Sequence, residues 1–139
     1  MISTFAEGYP IEEPKIVIPW HIDPQQLISI LKDRVDKVTR KYYTTKCISM
    51  KGLAHNLGFH FSENKLVEFE LFRNNKGDLK SSYEEFQKHL TEVFGNLTSQ
   101  SNGYEGYVKY DWLFPQFQVV HMVMDRFGPE EHVRIHNFA

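Results

Sequence analysis

Residues 57–72 read LGFHFSENKLVEFELF, and this stretch decides the fold. Its apolar residues recur at every second position on both sides of the segment SENK: Leu57, Phe59 and Phe61 before it, and Val67, Phe69 and Leu71 after it. A period of two is typical of strands that bury one face, and a short polar segment between two such runs is typical of an antiparallel hairpin. With the Thr-rich run 43–50 before it, ended by Gly52, the stretch predicts a meander of three antiparallel strands.

Two amphipathic helices flank this predicted meander. The first is predicted over 24–42, with Asp23 as N-cap, Pro24 as the first helical residue and Gln26 closing a capping box. Its apolar residues follow a period of 3.6, and its charged residues, including the favourable pairs Asp33–Lys37 and Asp36–Arg40, fall on the other face. The second helix is predicted to begin at Ser81 or Ser82, from the capping box Ser82-x-x-Glu85, and to stop at Gly95.

After a polar linker at 98–103, three further strands are predicted at 107–113, 117–124 and 132–138, separated by Pro115 and Gly128-Pro129. The order α-β-β-β-α-β-β-β favours an α+β fold, in which an antiparallel sheet of five to six strands carries both helices on one face. We expect a single domain over 1–139, with 1–20 as an extended N-terminal segment. The predicted core residues are Leu31, Val35, Phe59, Phe69, Phe86, Leu90 and Val119.

The composition is that of a chain that folds alone and works in a reducing compartment. Of its 139 residues, 41% are apolar and 24% charged, and the net charge is −2. The single cysteine, Cys47, excludes an intrachain disulfide and a thiolate metal cage. The N-terminus lacks a basic segment followed by an apolar run, and no stretch approaches the 18 or so apolar residues of a spanning helix. We therefore expect a cytoplasmic protein without a membrane partner.

The residues that could carry metal or nucleophilic chemistry do not form a recognisable pattern. His132 and His136 lie four apart in a β-branched run, where strand geometry separates them by about 13 Å, so the sequence predicts no metal site. Cys47 lies in a strand-like run and is expected to be a buried hydrophobe. GxSxG, GxGxxG and GxxxxGK[ST] motifs are missing from the sequence, so we expect no cofactor.

Two further patterns have competing interpretations. Glu68 and Glu70 share a strand face about 7 Å apart, as an acid and base pair would, but the polar outer face of a half-buried sheet gives the same pattern and is favoured. Residues 23–51 hold seven Lys/Arg against three Asp/Glu, a local charge of +4. Because Asp33 and Asp36 interrupt the basic residues and the pI is about 6.4, a solvated helix face is favoured over a nucleic-acid site.

The segment WLFPQF at 112–117 is the remaining unusual feature, because three aromatic rings and a proline lie where a loop between strands is expected. Exposed Trp and Phe are typical of protein interfaces, and a covered hairpin would hide them in the core equally well, so both alternatives stay open. With the acidic loop 125–131, this segment forms the predicted partner surface: Trp112, Phe114, Phe117, Asp125, Arg126, Glu130 and Glu131. An acidic rim would suit a basic partner such as a nucleic-acid-cleaving toxin.

The order of elements, from the helix after Asp23 to the terminal hairpin, resembles the layout of class I secretion chaperones, although those tend to end in a helix where this chain has EHVRIH at 131–136. The strand-rich tail from Trp112 to His132 is similar to small bacterial immunity partners of polymorphic toxins. Both resemblances imply a non-enzymatic module that binds another protein, a toxin or a secreted effector. A homodimer is left open. The alternative is a small enzyme or ligand-binding protein with an aromatic pocket and His121 or His136 as its polar group.

Overall fold

The computed structural model describes residues 2–73, 78–125 and 128–138. Two short 3₁₀ turns, Lys32–Arg34 and Tyr104–Gly106, accompany its helices and strands. In chain order these are α1 (Ile2–Glu7), β1 (Gly8–Ile11), β2 (Ile16–Pro19), α2 (Pro24–Leu31), β3 (Asp36–Thr39), β4 (Tyr42–Ser49), β5 (Leu53–Ser62), β6 (Lys65–Phe72), α3 (Leu79–Phe94), β7 (Ser99–Ser101), β8 (Lys109–Leu113), β9 (Phe117–Asp125) and β10 (Pro129–Asn137).

In the described part of the chain, the strands form one sheet of two strands, β1-β2, and one of eight, in the order β3-β4-β5-β6-β10-β9-β8-β7. Every pairing is antiparallel. Two meanders, β3 to β6 and β7 to β9, are joined by β10, which pairs with β6 on one side and β9 on the other. The predicted α+β class with an antiparallel sheet is therefore confirmed.

The predicted number and order of the elements are wrong, although each of the six predicted strands is present, as β4, β5, β6, β8, β9 and β10. The N-terminal segment, predicted to be extended, contains α1 and the hairpin β1-β2. This segment packs against the larger sheet, since the rings of Tyr9 and Trp20 lie 5.1 Å and 4.6 Å from the ring of Phe69 in β6. The strands β3 and β7 lie at the two edges of the larger sheet; both are short and exposed, and neither shows an alternation of apolar residues. Short edge strands protect a sheet from pairing with another chain.

The helix predicted over 24–42 is too long, because α2 ends at Leu31. Its predicted start is correct: the Asp23 carboxylate accepts from the Gln26 backbone N–H at 2.8 Å, and the Gln26 side chain accepts from the Asp23 N–H at 2.9 Å. At Lys32 the backbone turns to a φ of 57°, which an α-helix does not accommodate. After the 3₁₀ turn at Lys32–Arg34, the chain forms β3, which pairs with β4, so Asp33–Lys37 and Asp36–Arg40 are not helical pairs.

The second predicted helix, α3, stops at Gly95 as expected but begins earlier than predicted. Its N-cap is Asp78, whose carboxylate accepts from the Ser81 backbone N–H at 3.1 Å. Ser82, predicted as a capping residue, lies within the helix, and its hydroxyl donates to Glu131 of β10 at 2.6 Å. The hydroxyl that predicted a cap thus joins the helix to the sheet.

Alternation along the strands gives the larger sheet two different faces. On one, called the core face here, Phe59 pairs with Phe69, which in turn pairs with Ile135, and all three are fully buried. The intervening side chains of the same strands point to the other side, called the open face here, where most are half-buried or exposed.

The described helices and the β1-β2 hairpin cover the core face. Phe5 of α1 lies 6.1 Å from the ring of Phe117 in β9, and Phe86 of α3 lies 6.4 Å from the ring of His55 in β5. The helix α2 adds Leu27 and Leu31 to the same core. Six of the seven predicted core residues are buried, and the seventh, Val35, is partly buried against the core.

The position of Phe69 predicts a large effect of truncation. We expect Phe69→Ala to lower the free energy of unfolding by about 3–5 kcal/mol, because the ring is fully buried and contacts Tyr9, Trp20 and Phe59. The matched control is Val38→Ala on edge strand β3, where the side chain is 57% exposed and the change should stay within about 0.5 kcal/mol. Urea unfolding of both variants measures the difference, and equal losses would show that the faces are assigned incorrectly.

Candidate functional site

A network of charged side chains crosses the open face at strands β5, β6 and β10. Glu70 accepts from the His60 ring at 2.7 Å, and Glu68 accepts from the Arg134 guanidinium at 2.7 Å. Arg134 also lies 3.8 Å from Glu70, and His132 lies 3.7 Å from it. The register produces this arrangement, because Arg134 pairs directly with Glu70 across β6 and β10.

The environment of Glu70 determines its charge. Burial raises the pKa of this carboxyl, but the hydrogen bond from His60 and the positive charge of Arg134 outweigh it, so the pKa is lowered. The carboxylate is therefore the stable form, whereas a general acid needs a raised pKa. Glu68 is likewise engaged, by Arg134. The structure thus favours the interpretation of Glu68 and Glu70 as part of a polar sheet face rather than an acid and base pair.

Beside this network, an apolar stripe runs along the open face of β9. Val120, Met122 and Met124 point to this side and are half-buried. At one end of the stripe, Leu113 of β8 and Phe138 after β10 are 55% and 50% exposed. Sequence analysis missed both the stripe and the network. The available signal was the alternation in MVM at 122–124 and in HVRIH at 132–136, where each second residue leaves the core.

On the core face, a polar cluster is buried beneath α3. His121 is fully buried, its Nε2 lies 2.7 Å from the Glu131 carboxylate, and its Nδ1 faces the Gln87 side-chain amide at 2.8 Å. Burial lowers the pKa of His121, although Glu131 opposes this effect. The ring of Tyr83 is stacked on it, with the centroids 3.9 Å apart. His121 is therefore a structural group shielded by Tyr83, not an accessible polar group of a pocket.

A second buried chain of polar groups joins Tyr9, Ser49 and His55. The Nδ1–H of His55 donates to the Asn56 carbonyl at 2.9 Å, and its Nε2 accepts from the Ser49 hydroxyl, which in turn contacts the Tyr9 hydroxyl. Burial lowers the pKa of His55 to about 4 and raises that of the neighbouring Cys47 thiol to about 12. Cys47 is buried, as expected, and at neutral pH it is a thiol rather than a nucleophilic thiolate.

The aromatic residues of the predicted partner surface lie in the core. Trp112 is 0% exposed and its indole N–H donates to the Gly95 carbonyl at 3.0 Å, while Phe117 is 1% exposed. Phe114 is partly buried and stacked on Phe117 with a centroid distance of 4.7 Å. Of the two alternatives for this segment, the core is correct for Trp112 and Phe117, since the strands β8 and β9 place both under the end of α3.

The acidic residues of that predicted surface separate. Asp125 is exposed at the end of β9, and Glu130 lies on the open face, 3.6 Å from His132. Glu131 points to the core face, where it binds His121 and Ser82, so it is not part of a rim. Arg126 lies outside the described residues. The structure therefore brings Glu130 alone of this set to the open face beside the apolar stripe.

His132 and His136 lie on one strand, β10, as predicted, and His136 is half exposed beside Glu68 at 3.6 Å. Within the described ranges, no group of three or more His, Cys, Asp or Glu side chains is arranged to hold a metal ion. Nor does any helix in those ranges have the length and apolarity needed to cross a membrane.

A cleft of about 370 Å³ opens between α3 and the segment 104–110. Three tyrosine rings line it, together with two carboxylates and one ammonium group; these residues are Tyr83, Tyr107, Tyr110, Glu84, Glu105 and Lys80. It lies on the core-face side of β8, where the cover by α3 ends, and is thus separated from the open face by the sheet.

Comparison with known proteins finds no relative: no protein-family model, curated protein or solved structure matches this chain.

The buried imidazoles predict how stability depends on pH. The pKa of His55 is about 4 in the folded chain and about 6.5 in the unfolded chain. Its contribution to the free energy of unfolding is therefore fully present above pH 6.5 and is lost as the pH falls towards 4. The shift corresponds to about 3 kcal/mol. The lowered pKa of His121 acts in the same direction.

Urea unfolding between pH 7 and pH 4 measures this dependence. We expect His55→Gln to reduce the loss of unfolding free energy over this range. His21→Asn, at an exposed position with a φ of 65° that Asn tolerates, should leave it as in the wild type. An unchanged slope in His55→Gln would mean that the pKa of His55 is the same in the folded and the unfolded chain.

Proposed function

We propose that this chain is a non-enzymatic protein-binding module, of the immunity or chaperone type, whose partner docks on the open face. The observation that carries the proposal is the contrast between the two faces. The core face is covered by the described helices and the β1-β2 hairpin, whereas the open face presents an apolar stripe beside an ordered charged network. A sheet face of this kind supplies both parts of a protein interface, an apolar centre and a polar surround.

The composition of the open face supports a protein partner. Methionine, aromatic residues and arginine are enriched in interfaces, and Met122, Met124, Phe138 and Arg134 all lie on this face. Met side chains are flexible and polarizable, so they adapt to the shape of the partner. The docking site is thus proposed on the open face and not at Trp112 and Phe117, whose rings are buried.

The charged network supports binding in a different way. Arg134 is already held by Glu68, and Glu70 by His60, at 2.7 Å in each pair. These side chains have lost their conformational freedom before the partner arrives, which lowers the entropic cost of association.

The charges on the open face favour a basic partner. Across β6, β8 and β10, the described residues place four carboxylates and three cationic groups on this face, a difference of −1; they are Glu68, Glu70, Asp111 and Glu130 against Lys65, Lys109 and Arg134. Complementary charge accelerates encounter and disfavours partners of the wrong sign. A basic nuclease-type toxin is the partner class that fits this surface, and its association should slow as ionic strength rises.

The alternative function, an enzyme or ligand-binding protein with an aromatic pocket and a polar histidine, has less support. The cleft between α3 and the segment 104–110, called the tyrosine cleft from here on, is aromatic. His121, however, lies behind Tyr83, and His136 lies on the open face. The histidines named for this role are therefore separated from the cleft.

The experiment compares two matched surface variants. Proteins captured by the wild-type chain from its host lysate are identified and purified, and their dissociation constants are measured directly. Met122→Lys introduces a positive charge into the apolar stripe of the open face, where it would repel a basic partner, and should weaken binding at least about tenfold. Ile28→Lys, on α2 at 36% exposure, should change it less than about twofold, and both variants should keep the wild-type melting temperature.

Equal affinities for the two variants would overturn the proposed docking site. A second copy of this chain could occupy the open face instead of another protein, and sedimentation of the chain alone tests this. A dimer that Met122→Lys dissociates would make the open face a self-association surface.

A further inference from the structure

The tyrosine cleft carries an inference independent of the proposed function, because it lies across the sheet from the open face. Its volume of about 370 Å³ falls within the range of small-molecule sites. A second hollow of about 430 Å³ continues from it along α3 and shares Tyr83, Glu84 and Tyr110. The two form one groove on the flank of the helix.

The rings that line the cleft are held in place. The hydroxyl of Tyr83 lies within hydrogen-bonding distance of the Val108 carbonyl and, at 3.0 Å, of the His121 carbonyl. The ring of Tyr107 meets that of Tyr83 edge to face, at 5.2 Å and 71°, and the ring of Tyr110 lies 6.2 Å from it. The wall of the cleft is therefore a preorganised aromatic surface.

The charges around these rings favour a positive ligand. Among the described residues that line the cleft, two carboxylates, Glu84 and Glu105, face one cation, Lys80. Behind Tyr83, the ring of His121 is hydrogen-bonded to the Glu131 carboxylate. This carboxylate adds a further negative charge on the side of Tyr83 that faces away from the cleft. The π faces of tyrosine attract cations, and a carboxylate nearby reinforces this attraction.

We propose that this cleft binds a small organic ammonium cation, which packs against Tyr107 and Tyr110 and is balanced by Glu84 and Glu105. An anion would meet the excess of carboxylates. A neutral apolar molecule would fill the same volume but gain nothing from the charges, so the comparison of a cation with its neutral isostere isolates the proposed chemistry.

The test is a titration of the full chain, followed by the NMR signals of the cleft residues, with choline and with its uncharged carbon isostere, 3,3-dimethylbutan-1-ol. We expect saturable choline binding with a dissociation constant of about 1 mM, and at least about threefold weaker binding of the isostere. Equal affinities, or a dissociation constant for choline above about 10 mM, would overturn the proposal.

Variants locate the site and separate it from folding. Tyr107→Leu should weaken choline binding about three- to tenfold, while Tyr107→Phe, which keeps the ring, should bind as the wild type does. Glu105→Gln, at an exposed position, should also weaken it. The control is Tyr42→Leu, whose ring stacks on His60 on the open face and should leave choline binding unchanged. Undiminished binding by a folded Tyr107→Leu variant would contradict the assignment of the cleft.

Discussion

The whole structure depends on the pairing of β10 between β6 and β9. Nine residue pairs join β10 to β9 and four join it to β6, so the last described strand unites two meanders that are otherwise separate in the sheet. Its contacts with β6 bridge more than 60 positions of sequence, as Arg134 and Glu68 show. Contacts of such range form only when the long intervening segment closes, so they carry a larger entropic cost than the contacts within a hairpin.

The alternation of β10 also divides the chemistry of the molecule between its faces. Val133 and Ile135 enter the core and Glu131 binds the buried His121, whereas Arg134 and His136 join the network of the open face. Burial lowers the pKa of His121, although the Glu131 carboxylate opposes this effect. The carboxylate of Glu70, in contrast, is kept ionised by its partners, which outweigh its burial. One strand thus places a buried histidine–carboxylate pair on one side of the sheet and a charged network on the other.

Sequence periodicity predicted the strands well where one face is buried, and predicted poorly where it is not. Alternation located β5 and β6 because Phe59 and Phe69 meet in the core, while β3 and β7 carry no such pattern and were missed. The helix extended to residue 42 failed because Val35 and Val38 fit a period of 3.6 as well as a strand, and pairing with β4 decided between them. Alternation in HVRIH at 132–136 indicates which side chains leave the core, but their partners in the charged network depend on the register of β10 against β6, which is set by tertiary structure.

The separation of the two proposed surfaces follows from the same geometry. The tyrosine cleft and the open face lie on opposite sides of β8 and β9, and adjacent residues of one strand serve different sides, as Glu130 and Glu131 do. Coupling between them would require an element with two alternative arrangements, such as a strand that slips in register. A slip of one residue in β10 would move Val133 and Ile135 out of the core, a cost that the burial of both side chains makes prohibitive. Binding at one proposed surface is therefore not expected to change binding at the other.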